Sequence, residues 1–321
     1  MLAASRPSPT RLEDLIDPAL AARLDRLDLL SRKLLSGKLP GERRSKRRGR
    51  SVEFDDFRTY VPGDDLRHID WNVYARLERL FIKIFREEED LSLHLIVDAS
   101  PSMEAGTPQK LHFAARLAMA LAYIGLVNQN RVALTVFGRG ASVQRLAPCR
   151  GRTNLRRVAD VLLRGLAAPG AGQATQNPDD VFSRVMLAQI PGARGIVCLL
   201  SDLLAPGECE RGLNYLGAAS ASGMVDAYAI QVLSPGEIDP RRDRDSGLLG
   251  DLRLTDAETA LGAEVTVSPA SIAHYLKESA AYRERLRARC ASRGVAHLVV
   301  ASDARIDQLV LSSLRKGGLL R

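Results

Sequence analysis

The fold this sequence predicts is α/β, built on a mostly parallel sheet, and three observations carry the prediction. From residue 93 to residue 316, apolar runs of strand length alternate with longer runs of helical periodicity. Two of the strand-like runs, 93–97 and 195–201, are followed at once by an aspartate, Asp98 and Asp202; a doubly wound parallel sheet brings both out on one edge. The run 110–127 between them is apolar on nearly every face, which suits a helix packed tightly on a sheet. The architecture expected is Rossmann-like, with helices on both faces of the sheet.

Taken in order, residues 11–35 place leucines at 12, 15, 20, 24, 27, 30 and 34, close to helical spacing. They predict amphipathic helices, within a segment 1–37, that pack on the main domain or on a partner. Asp17 before Pro18 marks a helix start. Residues 38–52 are a basic, breaker-rich linker. Residues 1–50 hold 13 Lys/Arg against 6 Asp/Glu, so nearly all of the net charge of +8 is local to this end. Such a run is either a solvated loop or a site for an anionic partner, and charge alone does not name a lipid surface or a nucleic acid.

Residues 53–90 form a denser block around the turn Pro62-Gly63, with the only tryptophan, Trp71, and several carboxylates and arginines. An ion-pair cluster with Trp71 as a core anchor accounts for it structurally. Asp64 and Asp65 are adjacent carboxylates, but no nucleophile or histidine is arranged with them, so catalysis ranks below structure.

The main domain, 91–321, begins with strand 93–97. Asp98, Ser100 and Ser102 then fall between a strand's C-terminal end and a helix, where open α/β sheets collect ligands. Their oxygens are hard donors that suit Mg²⁺; the plain alternative is a turn that caps the helix. Strand 132–137, a turn at 138–140 and strand 142–146 predict a hairpin with an antiparallel edge strand. Helix 154–166, a Gly/Ala/Pro loop with Thr175, helix 178–187 and strand 195–201 follow. Helix 208–221, strand 225–233, a small β-hairpin inserted near 250–267, a helix opened by Ser268-Pro269, strand 296–301 and helix 305–316 complete the alternation.

The spacing D-x-S-x-S at 98–102 resembles the metal-ion-dependent adhesion site of von Willebrand factor A-type domains. The run E-F-x-x-x-R-x-Y-x-P-G-D-D-x-R-x-I-D-W at 53–71, then A-R, L-x-I-K and V-D-A-S-P-S-M, resembles the bacterial domain of unknown function fifty-eight over roughly residues 40–305. Members of that family are von Willebrand A-like and are often encoded beside MoxR-type AAA+ ATPases. The resemblance implies a Mg²⁺ site of Asp98, Ser100, Ser102, a loop threonine and, through water, Asp202. Thr175 is the threonine it points to, with Thr153 as the rival; the Gly172-Gln-Ala-Thr175 stretch is one residue longer than the family's usual Gly-x-Thr. The partner implied is a MoxR-type ATPase or a client protein offering an acidic residue to the metal.

Composition bounds the function classes. At 45% apolar and 26% charged the chain is globular, and 5% aromatics argue against a base-stacking platform. The four cysteines have no metal-ligand spacing and suit reduced thiols in a cytoplasmic protein, with a peripheral membrane contact as the alternative. The five histidines are dispersed, and neither a phosphate loop nor a Gly-x-Ser-x-Gly elbow occurs. The expectation is a metal-dependent protein-interaction module that is not an enzyme. The alternatives are a metal-dependent phosphoester hydrolase using Asp98 and Asp202, and an anionic-surface binder acting through residues 38–50.

Overall fold

The computed structural model describes residues 9–31, 53–86, 91–138, 143–167, 178–190, 194–204, 209–242, 250–255 and 262–320. They fall into two compact units, one holding the N-terminal segment with everything from residue 91 onward, the other lying within residues 38–90.

The larger unit is a six-stranded sheet. Helix α1 (Pro18–Leu24) precedes it in the chain. The smaller unit contributes β1 (Glu53–Thr59), α2 (Trp71–Leu77) and β2 (Phe81–Arg86). The sheet then follows as β3 (Ser92–Asp98), α3 (Lys110–Val127), β4 (Arg131–Phe137), β5 (Gln144–Cys149), α4 (Leu155–Ala167), α5 (Pro178–Gln189), β6 (Gly195–Ser201), α6 (Glu210–Ala221) and β7 (Val225–Leu233). The chain continues through β8 (Gly250–Thr255), β9 (Gly262–Val267), α7 (Pro269–Ser292) and β10 (Val295–Ala301).

The strand order is β10-β7-β6-β3-β4-β5, every neighbour parallel except β5, which runs antiparallel on the edge. This is the expected arrangement. β8 and β9 pair separately as the expected hairpin, with Leu252 opposite Val265.

Alternation along the strands sends side chains to two cores. Leu93, Leu95 and Val97 face α3, α4 and the N-terminal segment, while Ile96 faces α5, α6 and α7. That explains the all-round apolarity of α3. The sheet covers one side of it and the N-terminal segment and α4 cover the rest, so it is buried although it is long and apolar enough to cross a membrane.

The N-terminal segment packs on this unit. Asp17 caps α1, accepting the Leu20 N–H at 2.7 Å. Leu15, Leu20, Leu24, Leu27 and Leu29 join the α3 core. Tyr123 donates to Asp25 at 2.6 Å, the Asn128 amide to the Leu27 carbonyl at 2.7 Å, and Ser31 to Asp226 at 2.6 Å.

The chain's last helical stretch departs from expectation. Ile306–Gln308 is α-helical, Leu309–Leu314 is π-helical, and residues 315–316 return to the α form. The Ser312 hydroxyl takes the Gln308 carbonyl that an α-helix would give to the backbone of residue 312.

In the smaller unit the ion-pair cluster is present but the tryptophan is not its anchor. Arg58 pairs with Asp64 and Arg67 with Asp65, each at 2.8 Å. Asp70 caps α2 through the Asn72 and Val73 N–H groups. The buried pair is Ile69 and Ile82, bridged across the backbone. Trp71, the first residue of this two-turn helix, is 62% exposed, and its ring meets that of Tyr74 edge-on. The expected helices 1–37 are partly seen, and the linker 38–52 and the acidic stretch 87–90 lie outside the described residues.

Candidate metal centre

β3 and β6 are neighbours, with Val97 level with Leu200. Asp98 therefore emerges beside Ser201, and Asp202 one residue farther along the same edge. The chain turns sharply after Asp98: its Oδ1 accepts the Ser100 N–H at 2.9 Å and its Oδ2 accepts the Ser201 hydroxyl at 2.6 Å. The turn has room only because Gly138, at φ +97°, passes against it; a Cβ there would lie 2.6 Å from the Ser100 nitrogen and 3.0 Å from Asp98 Oδ1.

The Ser100 hydroxyl does not cap the turn that follows it. Ser100 precedes the 3₁₀ turn Pro101–Glu104 with no side-chain cap bond. Its Oγ lies instead 3.1 Å from Ser102 Oγ. Adjacent ligands of an octahedral Mg²⁺ at ~2.1 Å are about 3 Å apart, so this spacing fits two neighbouring positions of one ion. Asp98 and Ser100 are each 8% exposed. Burial, and then the charge of Asp202, push the Asp98 carboxyl up to about 6, against the opposing pull of its Ser201 and Ser100 bonds. A buried carboxylate held above its ordinary range is one that a cation would relieve.

Asp202 is held from several sides. Its carbonyl accepts the Gln231 amide at 2.8 Å, and Oδ1 accepts the Leu204 N–H at 3.2 Å. Leu203 between them sits at φ +53°, a conformation that costs a non-glycine residue ~1 kcal/mol or more. The Ser201 hydroxyl, which takes the Leu203 N–H at 3.0 Å, and Tyr282, which donates to the Leu203 carbonyl, hold it there.

The residue that sequence reasoning missed is Lys110. It opens α3 with no exposed surface, and its Nζ donates to Asp202 Oδ2 at 2.8 Å and to Glu237 Oε1. Burial pulls the ammonium pKa down, but the two carboxylates outweigh it and leave the net shift upward, so Lys110 stays charged. Glu237 lies in the helical turn Pro235–Ile238 after β7, where Ser234 and Glu237 cap each other's backbone N–H groups. Gly106, at φ +89°, lets the loop before α3 close on this turn, since a Cβ there would lie 2.3 Å from the Ser234 Cβ. An ammonium and a further carboxylate thus adjoin Asp202. One signal was available, a lysine opening a helix that is apolar on nearly every face. Ser201 and Glu237 had none, because strand adjacency and a long-range turn bring them in.

The hydroxyl rival Thr153 is excluded by topology. β5 is antiparallel, and Cys149 is level with Val132 at the start of β4. Thr153 follows it, so it lies on the opposite edge of the sheet, about 20 Å from the Asp98 edge by the rise of a seven-residue strand. α4 then climbs back, and Gly165 packs on Val136 near the Asp98 edge before the described residues stop at Ala167. Thr175 lies outside the described residues. Among the described residues no three of His, Cys, Asp and Glu converge as a metal cluster. The donor set is carboxylate and hydroxyl, a hard set that fits Mg²⁺ at Asp98, Ser100 and Ser102. The four cysteines are free thiols, three of them buried.

Fold and site together define an α/β protein with one antiparallel edge strand and a carboxylate–hydroxyl cluster at the C-terminal edge of its parallel strands. The chain belongs to the family described as protein of unknown function DUF58, whose profile matches residues 56–285. Uncharacterized proteins of Mycobacterium bovis and Mycobacterium tuberculosis are each 29% identical to it over 272 residues, 84% of this chain and 81% of theirs. Among solved structures, BatB from Bacteroides thetaiotaomicron aligns with a TM-score of 0.38 at 14% identity, over 71% of this chain and 98% of that one. An aerotolerance-related membrane protein from Bacteroides fragilis aligns with a TM-score of 0.37 at 14% identity and the same coverage.

Proposed function

We propose that this chain is a von Willebrand A-type, metal-dependent protein-interaction module. It would present Mg²⁺, held by Asp98, Ser100 and Ser102, to an acidic residue of another protein. The observation that carries the reading is the pair of serine hydroxyls, 3.1 Å apart, beside a buried carboxylate at the edge where the parallel strands end. Asp202 contributes from farther out, and Thr175 is proposed as a further hydroxyl ligand. Bound there, the ion supplies Lewis acidity toward an external oxygen; the chain's own part is to hold it with one direct carboxylate. With a single direct anionic ligand the ion would keep one net positive charge, which a carboxylate from outside would meet.

The family resemblance points to a MoxR-type AAA+ ATPase, or a client that such an ATPase remodels, as the source of that carboxylate. The pair would then act in chaperone-like assembly or activation of other proteins. A phosphoester hydrolase is the weaker reading, since Asp202 and Glu237 are both engaged by Lys110 rather than gathered on a second metal.

The test is capture from native lysate by wild type and by Asp98→Asn, each with Mg²⁺ or EDTA, after circular dichroism establishes that both are folded. Retention of an ATPase or client by wild type with Mg²⁺ alone is expected. Equal retention in all four conditions would defeat the metal bridge.

A further inference from the structure

Among the described residues, Lys110 is the largest fully buried side chain and the only charged one of the twelve largest with under 2% exposure. An ammonium in that position is expensive to desolvate, and a well-packed apolar residue beside neutral partners would stabilise the fold as well or better. Its placement therefore asks for a role. The ammonium takes Asp202 Oδ2 while the Leu204 N–H takes Oδ1, so each oxygen of that carboxylate already has a protein donor. The same ammonium has Glu237 as a second anionic partner on the opposite loop. It is thus shared between a carboxylate of the proposed metal centre and one outside it.

Building on the metal reading above, we infer that Lys110 is a positioning residue that holds Asp202 back from direct ligation and so keeps the bound ion selective for an external carboxylate. Without the ammonium, an ion with Asp98 and Asp202 is formally neutral and has little attraction for another anion. With Lys110 on Asp202, the charge of that carboxylate is already met and Asp98 is left as the one direct anionic ligand, so a carboxylate from a partner protein is the ligand that the ion's open position selects. Glu237, the ammonium's other partner, brings the wider group back to neutral. Glu237 sets the strength of the restraint, because it draws part of the ammonium's hydrogen bonding away from Asp202.

The inference makes two variants of the same buried ion pair move in opposite directions, which a purely structural role would not do. In the full chain at pH 7.5, with Mn²⁺ as the probe and free Mn²⁺ read by electron paramagnetic resonance, Lys110→Met frees Asp202 and tightens Mn²⁺ binding about tenfold, the effect of one close unneutralised charge. Adding Asp202→Asn to that variant abolishes the gain. Glu237→Gln leaves the ammonium wholly to Asp202 and weakens Mn²⁺ binding about threefold, for the same reason in reverse. Shifts of both single variants in the same direction, or no shift in either, overturn the inference while leaving the metal centre standing. Wild type that binds no Mn²⁺ at millimolar concentration overturns the metal centre and the inference together. If Lys110→Met does not fold, Glu237→Gln decides alone: unchanged or tighter Mn²⁺ binding refutes the restraint.

Discussion

Asp98→Asn is the substitution in which site and stability pull hardest against each other. The carboxyl sits at about 6 in the folded chain against an ordinary 3.8. Keeping it ionised at pH 7.5 without a cation therefore costs the folded state about 3 kcal/mol. Because the folded value lies above the unfolded one, this penalty is absent well below pH 3.8 and grows as the pH rises through about 6. Asparagine removes it. The amide oxygen keeps the Ser100 N–H bond, but Ser201 must turn from donor to acceptor while it still takes the Leu203 N–H. That exchange forfeits about 1 kcal/mol. The variant should be more stable than wild type by about 2 kcal/mol, raising Tm by about 4 °C for a chain of this size.

The assay is thermal or urea unfolding of both proteins in EDTA at pH 7.5 and at pH 5, where about half of the penalty remains. Mg²⁺ should reverse the order: at 100 times its Kd it stabilises wild type by ~2.7 kcal/mol and leaves the variant unmoved. An asparagine variant that melts at or below wild type in EDTA at pH 7.5, or that gains as much from Mg²⁺, would refute both the buried charge and its purpose.

Other outcomes follow from the same geometry. Gly138→Ala sets a methyl group against the Ser100 nitrogen at a backbone angle that alanine resists; it should cost ~2 kcal/mol or more and abolish the Mg²⁺-dependent rise in Tm, read by the same melts. Leu24→Ala, in a helix packed with 1% exposure on the α3 core, should destabilise the larger unit by 2–5 kcal/mol in urea titrations, roughly as for any buried leucine. A smaller loss would mean that the N-terminal segment is detachable. Trp71→Ala should change stability by less than about 1 kcal/mol, measured by circular dichroism, since that side chain is mostly in solvent.

The sheet was legible from the sequence because strand and helix periods alternate cleanly and because apolar side chains on both faces of a strand require cover on both faces. The antiparallel edge strand followed from a short glycine turn, and the start of α1 from Asp17 before Pro18. The sequence alone puts the pair Asp98 and Asp202 on one edge, since parallel strands must end on the same side. Local chemistry of this kind is written within a few residues of itself.

Tertiary structure decided the rest. That Thr153 lies on the wrong edge depends on the direction of β5 and its register against β4. That Trp71 is mostly in solvent, while Ile69 and Ile82 are buried, depends on how the chain packs around the strand pair. Lys110, Asp202 and Glu237 are separated by 92 and 127 residues from the lysine outward and meet through strand order alone. A buried ion group of that span has no local signature, because what makes it affordable is partners supplied by other strands.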